Sequence, residues 1–459
     1  MIKKHLAFFL ILVMALMVRL YKIDSPVADW HSWRQADTAS VTRVFSQEGV
    51  NLFIPRYQDI SNIPSGLENP NGYRMVEFPL YNLMHLGVFR LGNLNLETAG
   101  RLTSVILSLI SLTFIYLIAN KISGKKTALY SSIFFALLPF NIFYSRVILP
   151  EPLMITLFLA SFFLAIQSKL LFSAIFFSLA LLVKPYAVFF ILPYLLLINK
   201  NNFKKFIIYG ILALTPFILW RSWISHFPAG IPASDWLFNQ NGIRFRPAWF
   251  RWLFAERLGK LILGYWGSIF LVLGLLKKPI KTLNWSYALF AVGILAYFSV
   301  LASGNITHDY YQSITMPFIS LLLGRGVATL TSLPKTLFSR PLLWATAIVI
   351  FILSSAFSWY EIKGLYQINN PSIIVAGQAV DKLLPKDARV IAPYMGDTAF
   401  LYQTNRYGWP LLTHDIDQMV SLGATHYVSV NFDTDTNKLM QNPNFEVLEK
   451  TDQFVILKL

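Results

Sequence analysis

The sequence contains no cysteine, and only 14% of its 459 residues are charged. The absence of cysteine excludes disulfide bonds, thiolate metal ligands and cysteine nucleophiles, although it leaves the redox compartment open. The scarcity of charge, together with 55% hydrophobic residues and a mean hydropathy of +0.52, excludes a water-soluble surface. The composition therefore predicts a polytopic membrane protein.

Several well-defined sequence motifs are also missing. The sequence has no Walker phosphate loop, no paired-glycine dinucleotide fingerprint and no zinc-protease helix. ATP-driven transport and soluble-cofactor chemistry therefore lack support. The opening MIKK precedes an apolar stretch with no small-residue cleavage site before Arg19, so we expect a retained first span rather than a signal peptide.

Long apolar runs dominate the rest of the chain. Several reach the roughly 20 residues that a helix needs to cross a bilayer, whereas a β-barrel would show short alternating strands. The runs predict about 11 transmembrane helices. Their predicted ranges are near 5–20, 99–119, 127–144, 151–167, 171–183, 186–198, 206–224, 258–276, 283–303, 310–330 and 341–360.

The formal net charge of +16 is segregated along the chain. With the N-terminus inside, the charged residues of the short inner loops are all basic, namely Lys3, Lys4, Lys121, Lys125, Lys126, Lys169, Lys200, Lys204, Lys205, Lys277, Lys278, Lys281, Lys335 and Arg340. This positive-inside pattern predicts a cytoplasmic N-terminus and an extracytoplasmic C-terminal region. The basic excess is therefore topological, and it predicts contact with membrane lipids rather than nucleic acid.

Three polar segments are too long to be simple connections. Residues 21–98 form a predicted outer loop with an amphipathic run from Pro79 to Leu91, and residues 225–257 form a second, aromatic-rich outer loop. From residue 361 the composition becomes that of a soluble domain. There AVDKLLP predicts a helix, and ARVIAPY, THYVSVNF, FEVLEK and FVILKL predict strands. We predict a transmembrane domain over residues 1–360 and a small extracytoplasmic α/β domain over residues 361–459.

Three acids stand beside predicted spans on the outer face, where charge is costly in so apolar a chain. Asp37 lies in the polar segment DWHSWRQADT, Glu77 in RMVEFPLY and Glu151 in SRVILPEPL. Each could serve only to cap a helix, and the prolines on both sides of Glu151 suit a first helical turn. Their shared position nevertheless makes all three candidate functional residues.

The chain resembles the GT-C superfamily of membrane glycosyltransferases in five further segments, namely EFPLY, AGRLTSVILSLISLTFIYLIANKISG, SRVILPEPL, LLVKPYAVFFILP and HDYYQSITMPFISLLLG. It is most similar to the bacterial protein O-mannosyltransferases and the lipid A aminoarabinose transferases, over residues 1 to 330 or so. The resemblance implies an α-helical GT-C-like membrane domain. It also implies an enzyme that passes a sugar from a polyprenyl-phosphate carrier to a lipid, protein or glycan acceptor on the outer face.

The resemblance also implies a catalytic base. Asp37 is similar to the family's first-loop acid, which activates the acceptor. The family's usual Asp-Glu pair falls on Arg34 and Gln35 here, so Asp29 is the alternative base. Direct attack of an acceptor hydroxyl on a sugar phosphate inverts the anomeric carbon and needs one such carboxylate within hydrogen-bond reach.

Two further acids match positions of the same family. Glu151 stands where the family usually carries an aspartate in its second outer loop, and Glu77 resembles the acid or histidine that precedes the family's proline pair. If Glu77, Glu151 and His308 converge, they are candidate ligands of a divalent metal ion, the one cofactor that the sequence suggests.

The departing phosphate needs cations or a metal to stabilise it. Candidate donor-phosphate contacts at the outer ends of spans are Arg34, Arg101, Arg146, Lys184 and, in the HDYY segment, His308, Tyr310 and Tyr311. The arginines could instead snorkel to the interface, and interfacial tyrosines are common belt residues. Lys184 is a stronger candidate because no acid lies near it in the sequence.

Three functions are compatible with these features. The leading hypothesis is an inverting membrane glycosyltransferase that uses a polyprenyl-phosphate-linked sugar. A secondary transporter of lipid-linked or anionic solutes would instead place ionisable residues near the bilayer midplane. A catalytically inactive GT-C-like scaffold would explain the departure at Arg34 and Gln35.

Overall fold

The computed structural model describes residues 2–334 and 336–459, so the predicted inner-face Lys335 lies outside the described residues, as do the side chains of Lys3 and Lys4. The chain divides into two compact units. The helical unit comprises Met1–Ile23, Ser104–Trp220 and Ser234–Leu365, and the sheet unit comprises Asp24–Thr103, Arg221–Ala233 and Tyr366–Leu459.

The helical unit is built almost entirely from apolar helices. Its α-helices are Ile2–Arg19, Leu96–Ser123 from Ser104 onward, Lys125–Leu137, Pro139–Tyr144, Glu151–Ile166, Leu170–Val183, Phe203–Ile224 up to Trp220, Trp236–Asn239, Pro247–Phe250, Gly267–Leu276, Ser286–Val300, Ala302–Thr307, Met316–Leu330 and Arg340–Ile362. The 3₁₀ segments are Pro185–Phe190, Leu192–Leu197, Gln240–Phe245, Thr282–Trp285, Asp309–Thr315 and Lys363–Tyr366, and Arg251–Ile262 is a π-helix.

Within the described residues, five helices are long and apolar enough to cross a membrane: Leu96–Ser123, Phe203–Ile224, Thr282–Val300, Asp309–Leu330 and Arg340–Tyr366. A sixth is possible if Pro247–Ile262 and Gly267–Leu276, bent by 112°, form one broken span. The predicted count of about 11 spans is therefore not confirmed.

Prolines account for two of the differences from the predicted spans. The predicted span 127–144 is interrupted at Leu138, which is extended directly before Pro139, as residues before proline prefer. The predicted span 186–198 is instead two 3₁₀ segments, each with a proline in its first turn. Hydropathy alone does not register these breaks.

Glycines let three helices of this unit pack backbone against backbone. A Cβ at Gly326 would lie 1.9 Å from the Phe270 carbonyl oxygen, and one at Gly274 would lie 2.1 Å from the Leu322 carbonyl oxygen. A Cβ at Gly324 would lie 2.2 Å from Ser131 Oγ on a third helix. Small residues at such contacts are how helices associate closely in membranes.

The sheet unit contains five strands, β1 (Arg389–Ile391), β2 (Tyr407–Trp409), β3 (His426–Ser429), β4 (Glu446–Lys450) and β5 (Val455–Lys458), in the order β2-β1-β3-β5-β4. β1 pairs in parallel with β2 and β3, whereas β5 pairs antiparallel with β3 and β4. Its α-helices are Ser32–Glu48, Leu80–Gly92, the start of Leu96–Ser123, Ser372–Leu383, Thr398–Thr404, Ile416–Ser421 and Thr434–Gln441, with a 3₁₀ turn at Pro228–Gly230. All four predicted strands and the predicted helix are present, so the α/β character of the C-terminal segment is confirmed.

The strand β2 was not predicted, and it joins the C-terminal segment to the first outer loop. Gly408 N–H donates to the Gln58 carbonyl at 3.0 Å, and Ile60 N–H donates to the Gly408 carbonyl at 2.9 Å. The other side of the same glycine faces β1, where a Cβ would lie 1.8 Å from the Val390 carbonyl oxygen. The sheet unit is therefore larger than the predicted domain 361–459, because residues 24–103 contribute to it.

Candidate active site

The polar segment around Arg34 forms the start of the helix Ser32–Glu48. His31 precedes the helix in the left-handed conformation, with φ of 54°. Arg34, Gln35 and Asp37 are all buried in the first turns. Because side chains three apart share a helix face, Arg34 and Asp37 point to the same side of the helix.

The Asp37 carboxylate is held by two donors within the sheet unit. Arg74 Nη2 lies 2.7 Å from Oδ2, and the Thr398 hydroxyl donates to Oδ1 at 2.7 Å. Asp37 and Arg74 are both at least nine-tenths buried, so this ion pair is largely shielded from water. Sequence reasoning missed both partners, since Arg74 lies in a loop and Thr398 is separated from Asp37 by 361 positions.

Two further acids lie in the electrostatic field of Asp37. Burial raises the pKa of Asp397 to about 6, a shift that the hydrogen bond from Ala399 N–H opposes and that the negative charge of Asp37 supports. Burial likewise raises the pKa of Asp59 to about 6, while hydrogen bonds from Ser61 oppose that shift. Sequence reasoning missed these two acids as well. Asp59 and Asp397 therefore both interact with Asp37, and these two acids hold protons more readily than exposed aspartates.

Asp29 forms a second buried ion pair in the same unit. Arg101 Nη2 lies 3.2 Å from Asp29 Oδ2, and Gln35 Nε2 donates to Oδ1 at 2.7 Å. Arg101 is fully buried, and its Nε and Nη1 have no hydrogen-bond partner among the described residues. Leaving buried donors unsatisfied costs about 1–3 kcal/mol each, so an anion beside Arg101 would be stabilised.

Arg34 forms a third ion pair, with Glu77. Arg34 and Gln35 occupy the positions of the family's usual Asp-Glu pair, and each contacts an acid. Arg34 forms an ion pair with Glu77, and Gln35 donates a hydrogen bond to Asp29. The structure thus brings together the predicted residues Asp29, Arg34, Asp37, Glu77 and Arg101 within one unit.

The helical unit contains a separate group of predicted residues around Glu151. Lys184 Nζ lies 3.1 Å from Glu151 Oε1, and both side chains are buried. Glu151 opens its helix between two prolines, and Lys184 ends the helix Leu170–Val183 directly before a proline. Lys184 has no acid near it in the sequence, but folding brings Glu151 beside it. Glu151 Oε2 has no hydrogen-bond partner in the described part of the chain.

Aromatic rings extend this group to the HDYY segment. Lys184 Nζ lies 5.6 Å from the ring centre of Tyr186, whose ring is 6.0 Å from that of Tyr311. Tyr310 and Tyr311 stack at 4.5 Å, and His308 stacks on Tyr310 at 5.6 Å. The predicted residues Lys184, His308, Tyr310 and Tyr311 thus form one connected cluster.

Asp309 is the charged centre of that segment, and sequence reasoning did not select it. It accepts a hydrogen bond from the Tyr144 hydroxyl at 2.5 Å, and Arg257 Nη1 lies 3.7 Å away. The sequence feature that could have identified Asp309 is its position in the polar HDYY segment. Arg146, a predicted phosphate contact, donates to the Lys22 carbonyl at 2.8 Å.

The predicted metal ligands belong to two units: Glu77 to the sheet unit, and Glu151 and His308 to the helical unit. Within residues 2–334 and 336–459, no group of three histidine or acidic side chains is placed to hold a metal ion. Glu77 and Glu151 are each paired with a cation, and His308 stacks on tyrosine. The metal site therefore stays a prediction, and we derive no step through a metal.

The fold is similar over its whole length to solved membrane proteins. ArnT from Cupriavidus metallidurans bound to undecaprenyl phosphate aligns with a TM-score of 0.66 and 13% identity, covering 98% of this chain and 97% of that one. The chain has the GT-C fold. The predicted resemblance to the GT-C superfamily is therefore confirmed.

Two other GT-C matches are longer proteins. The oligosaccharyltransferase AglB from Archaeoglobus fulgidus, in complex with an inhibitory peptide and a dolichol-phosphate, aligns with a TM-score of 0.56 and 10% identity over 93% of this chain and 70% of that one. The arabinofuranosyltransferase AftD from Mycobacteria aligns with a TM-score of 0.61 and 11% identity over 99% of this chain and 40% of that one.

Sequence comparison adds one match within the GT-C fold. Residues 78–225 match the family described as dolichyl-phosphate-mannose-protein mannosyltransferase. That range includes Arg101, Arg146, Glu151 and Lys184. No curated protein sequence matches the chain.

Proposed function

We propose that this protein is a membrane glycosyltransferase that moves a sugar from a polyprenyl-phosphate-linked donor to an acceptor, with inversion of the anomeric carbon. The observation that carries the proposal is a likeness of fold over 98% of the chain to a protein solved with undecaprenyl phosphate. The mannosyltransferase family match and the complex of AglB with a dolichol-phosphate support the same class of donor. A family likeness is not evidence of the sugar, which stays open between hexoses and pentoses.

We place the reaction on the outer face of a bacterial inner membrane, with a cytoplasmic N-terminus. The segregation of basic residues into the predicted inner loops supports this orientation. The acceptor is then a lipid, protein or glycan of the cell envelope.

Asp37 is the proposed base. The acceptor oxygen forms a bond to the anomeric carbon while the bond from that carbon to the phosphate oxygen breaks, and the bonding pair leaves with the phosphate. The acceptor proton passes to Asp37. The hydroxyl of Thr398 already donates to this carboxylate at 2.7 Å, the geometry that an acceptor hydroxyl must reach.

Arg101 is the proposed contact of the donor phosphate, and Arg34, on the helix that carries Asp37, is a second one. The two N–H groups of Arg101 without partners among the described residues suit phosphate oxygens, and the leaving group needs no acid because it departs as an anion. Asp29 stays the alternative base, with Arg101 and Gln35 as its partners.

The helical unit offers a second set of predicted residues. Glu151 stays a predicted catalytic residue, and Arg146, Lys184, His308, Tyr310 and Tyr311 stay predicted phosphate contacts.

Mass spectrometry of the lipid that co-purifies with the protein tests the donor class. We expect an isoprenoid phosphate on the wild type and clearly less on Arg101→Lys, which keeps the charge but loses the planar fork. The control is Arg90→Lys, at an exposed arginine of the helix Leu80–Gly92. A protein that retains no isoprenoid phosphate, or counter-transports solutes in proteoliposomes without any glycosyl product, would contradict the proposal.

A further inference from the structure

The C-terminal segment supplies a side chain to the proposed base. Thr398 is the first residue of the helix Thr398–Thr404, directly after β1 and its loop. Its hydroxyl donates to Asp37 Oδ1 at 2.7 Å, while Arg74 occupies Oδ2. Each carboxylate oxygen has two lone pairs, so an acceptor hydroxyl can still approach Oδ1 beside Thr398.

Hydrogen bonds fix the helix of Thr398 firmly against the first outer loop. Arg43 Nη1 donates to the Tyr402 carbonyl at 2.6 Å, and the Arg43 guanidinium lies over the Tyr402 ring at 3.7 Å. The Tyr402 hydroxyl donates to Glu97 at 2.7 Å, and Gln403 Nε2 donates to the Val27 carbonyl at 3.0 Å. These contacts hold the helix in place, and they thereby fix the position of Thr398 relative to Asp37.

Close packing restrains the helix on another side. A Cβ at Gly377 would lie 2.5 Å from Gln403 Cβ, so the helix Ser372–Leu383 contacts it without intervening side chains. Asp397 caps its first turn by accepting from Ala399 N–H at 2.7 Å. The Gly377 contact restrains the end of the helix, and the Asp397 cap fixes its start, where Thr398 lies.

We propose that Thr398 is a positioning residue of the transferase, which orients the Asp37 carboxylate and makes the C-terminal segment part of the active centre. The inference rests on the proposed function and extends it. Arg74 and Thr398 together restrict rotation of the Asp37 carboxylate. With Arg74 as its one donor, the carboxylate would still rotate about that contact. A misplacement of about 1 Å in a catalytic group lowers a rate by about 100-fold.

The test compares purified wild type, Thr398→Val and Thr398→Ser. The reaction is release of undecaprenyl phosphate from undecaprenyl-phosphate-linked mannose, arabinofuranose or aminoarabinose, with cell-envelope extract as acceptor. We expect Thr398→Val to lower the maximal rate about 10- to 100-fold with little change in the donor KM, and Thr398→Ser to retain most of the rate.

Thr404→Val is the matched control, since its buried hydroxyl on the same helix donates to the Leu401 carbonyl instead.

Thermal unfolding of each variant separates loss of fold from loss of position. The inference is overturned if Thr398→Val keeps the rate of Thr404→Val, or if Thr398→Ser is as slow as Thr398→Val. If the wild type is active and either of these results is found, the role of Thr398 is refuted but the proposed function is not. A wild type that releases no undecaprenyl phosphate from any of the three donors removes the proposed function, and the inference with it.

Discussion

At the scale of single residues, Asp37, Asp29 and Glu151 are each paired with a cation that the neighbouring sequence does not reveal. The sequence predicts Asp37, Asp29 and Glu151 as candidates because charge is rare in an apolar chain. It does not predict Arg74 or Thr398, because hydropathy and motif carry no information about contacts between distant segments. Comparison with the family motif identifies Arg34 and Gln35 as a departure from the usual acidic pair. In the structure, Arg34 contacts Glu77 and Gln35 contacts Asp29.

The buried pair of Glu151 and Lys184 gives a stability prediction. Lys184→Met leaves a buried carboxylate without its cation and should destabilise the protein by about 3–5 kcal/mol. The double variant Lys184→Met/Glu151→Gln removes both charges and should recover most of that loss. Thermal unfolding in detergent measures both, and a double variant with simply additive losses would refute the pairing.

The raised pKa of Asp397 predicts a pH dependence of stability. Since the folded-state pKa is about 6 against a usual 3.8, the folded protein binds the proton more tightly, and stability falls as pH rises from about 4 to about 6. Asp397→Asn keeps a helix cap but removes this titration. The variant should therefore gain on the order of 2 kcal/mol over the wild type between about pH 4.5 and about pH 7.5.

Unfolding at the two pH values checks this expectation. The control is Asp415→Asn, which changes an exposed cap that accepts from Gln418 N–H at 2.8 Å. An Asp397→Asn advantage that is the same at both pH values, or equal to that of the control, would show that Asp397 is not buried as a titrating acid.

At the scale of elements, sequence pattern predicted the type of most segments and missed their interruptions. Four of the five strands follow from alternating apolar residues, but β2 is only Tyr407–Trp409 with a central glycine, too short for a pattern to register. Predicted spans were broken where prolines or a bend interrupt them, as at Leu138 and between Ile262 and Gly267. These breaks depend on backbone geometry, to which hydropathy is insensitive.

The glycine contacts of the helix Met316–Leu330 can be tested directly. Gly326→Ala places a Cβ against the Phe270 carbonyl oxygen, a backbone atom that cannot rotate away, so the helices must separate. We expect a loss of about 1–3 kcal/mol in thermal unfolding. Gly210→Ala, where nothing lies within 4 Å, is the control and should be neutral or slightly stabilising. Equal effects of both substitutions would contradict the packing.

At the scale of the whole molecule, the membrane class and the GT-C likeness could be predicted from hydropathy, charge segregation and five short segments. The division of the chain into these two compact units could not be predicted from the same features. Residues 24–103 and 366–459 belong to one compact unit, joined by backbone hydrogen bonds at Gly408 and by the hydroxyl of Thr398. Such long-range pairing depends on three-dimensional contacts that have no local signature.

The central claim is that this molecule transfers a sugar from a polyprenyl phosphate with Asp37 as base. The most direct measurement is transfer by wild type, Asp37→Asn and Asp24→Asn, the last at an exposed acid of the same loop. The assay measures release of undecaprenyl phosphate and determines the anomeric configuration of the product. The account predicts an inverted product from wild type and Asp24→Asn, and at least about a 100-fold slower reaction from Asp37→Asn. A retained configuration, or wild-type rates from Asp37→Asn, would contradict it.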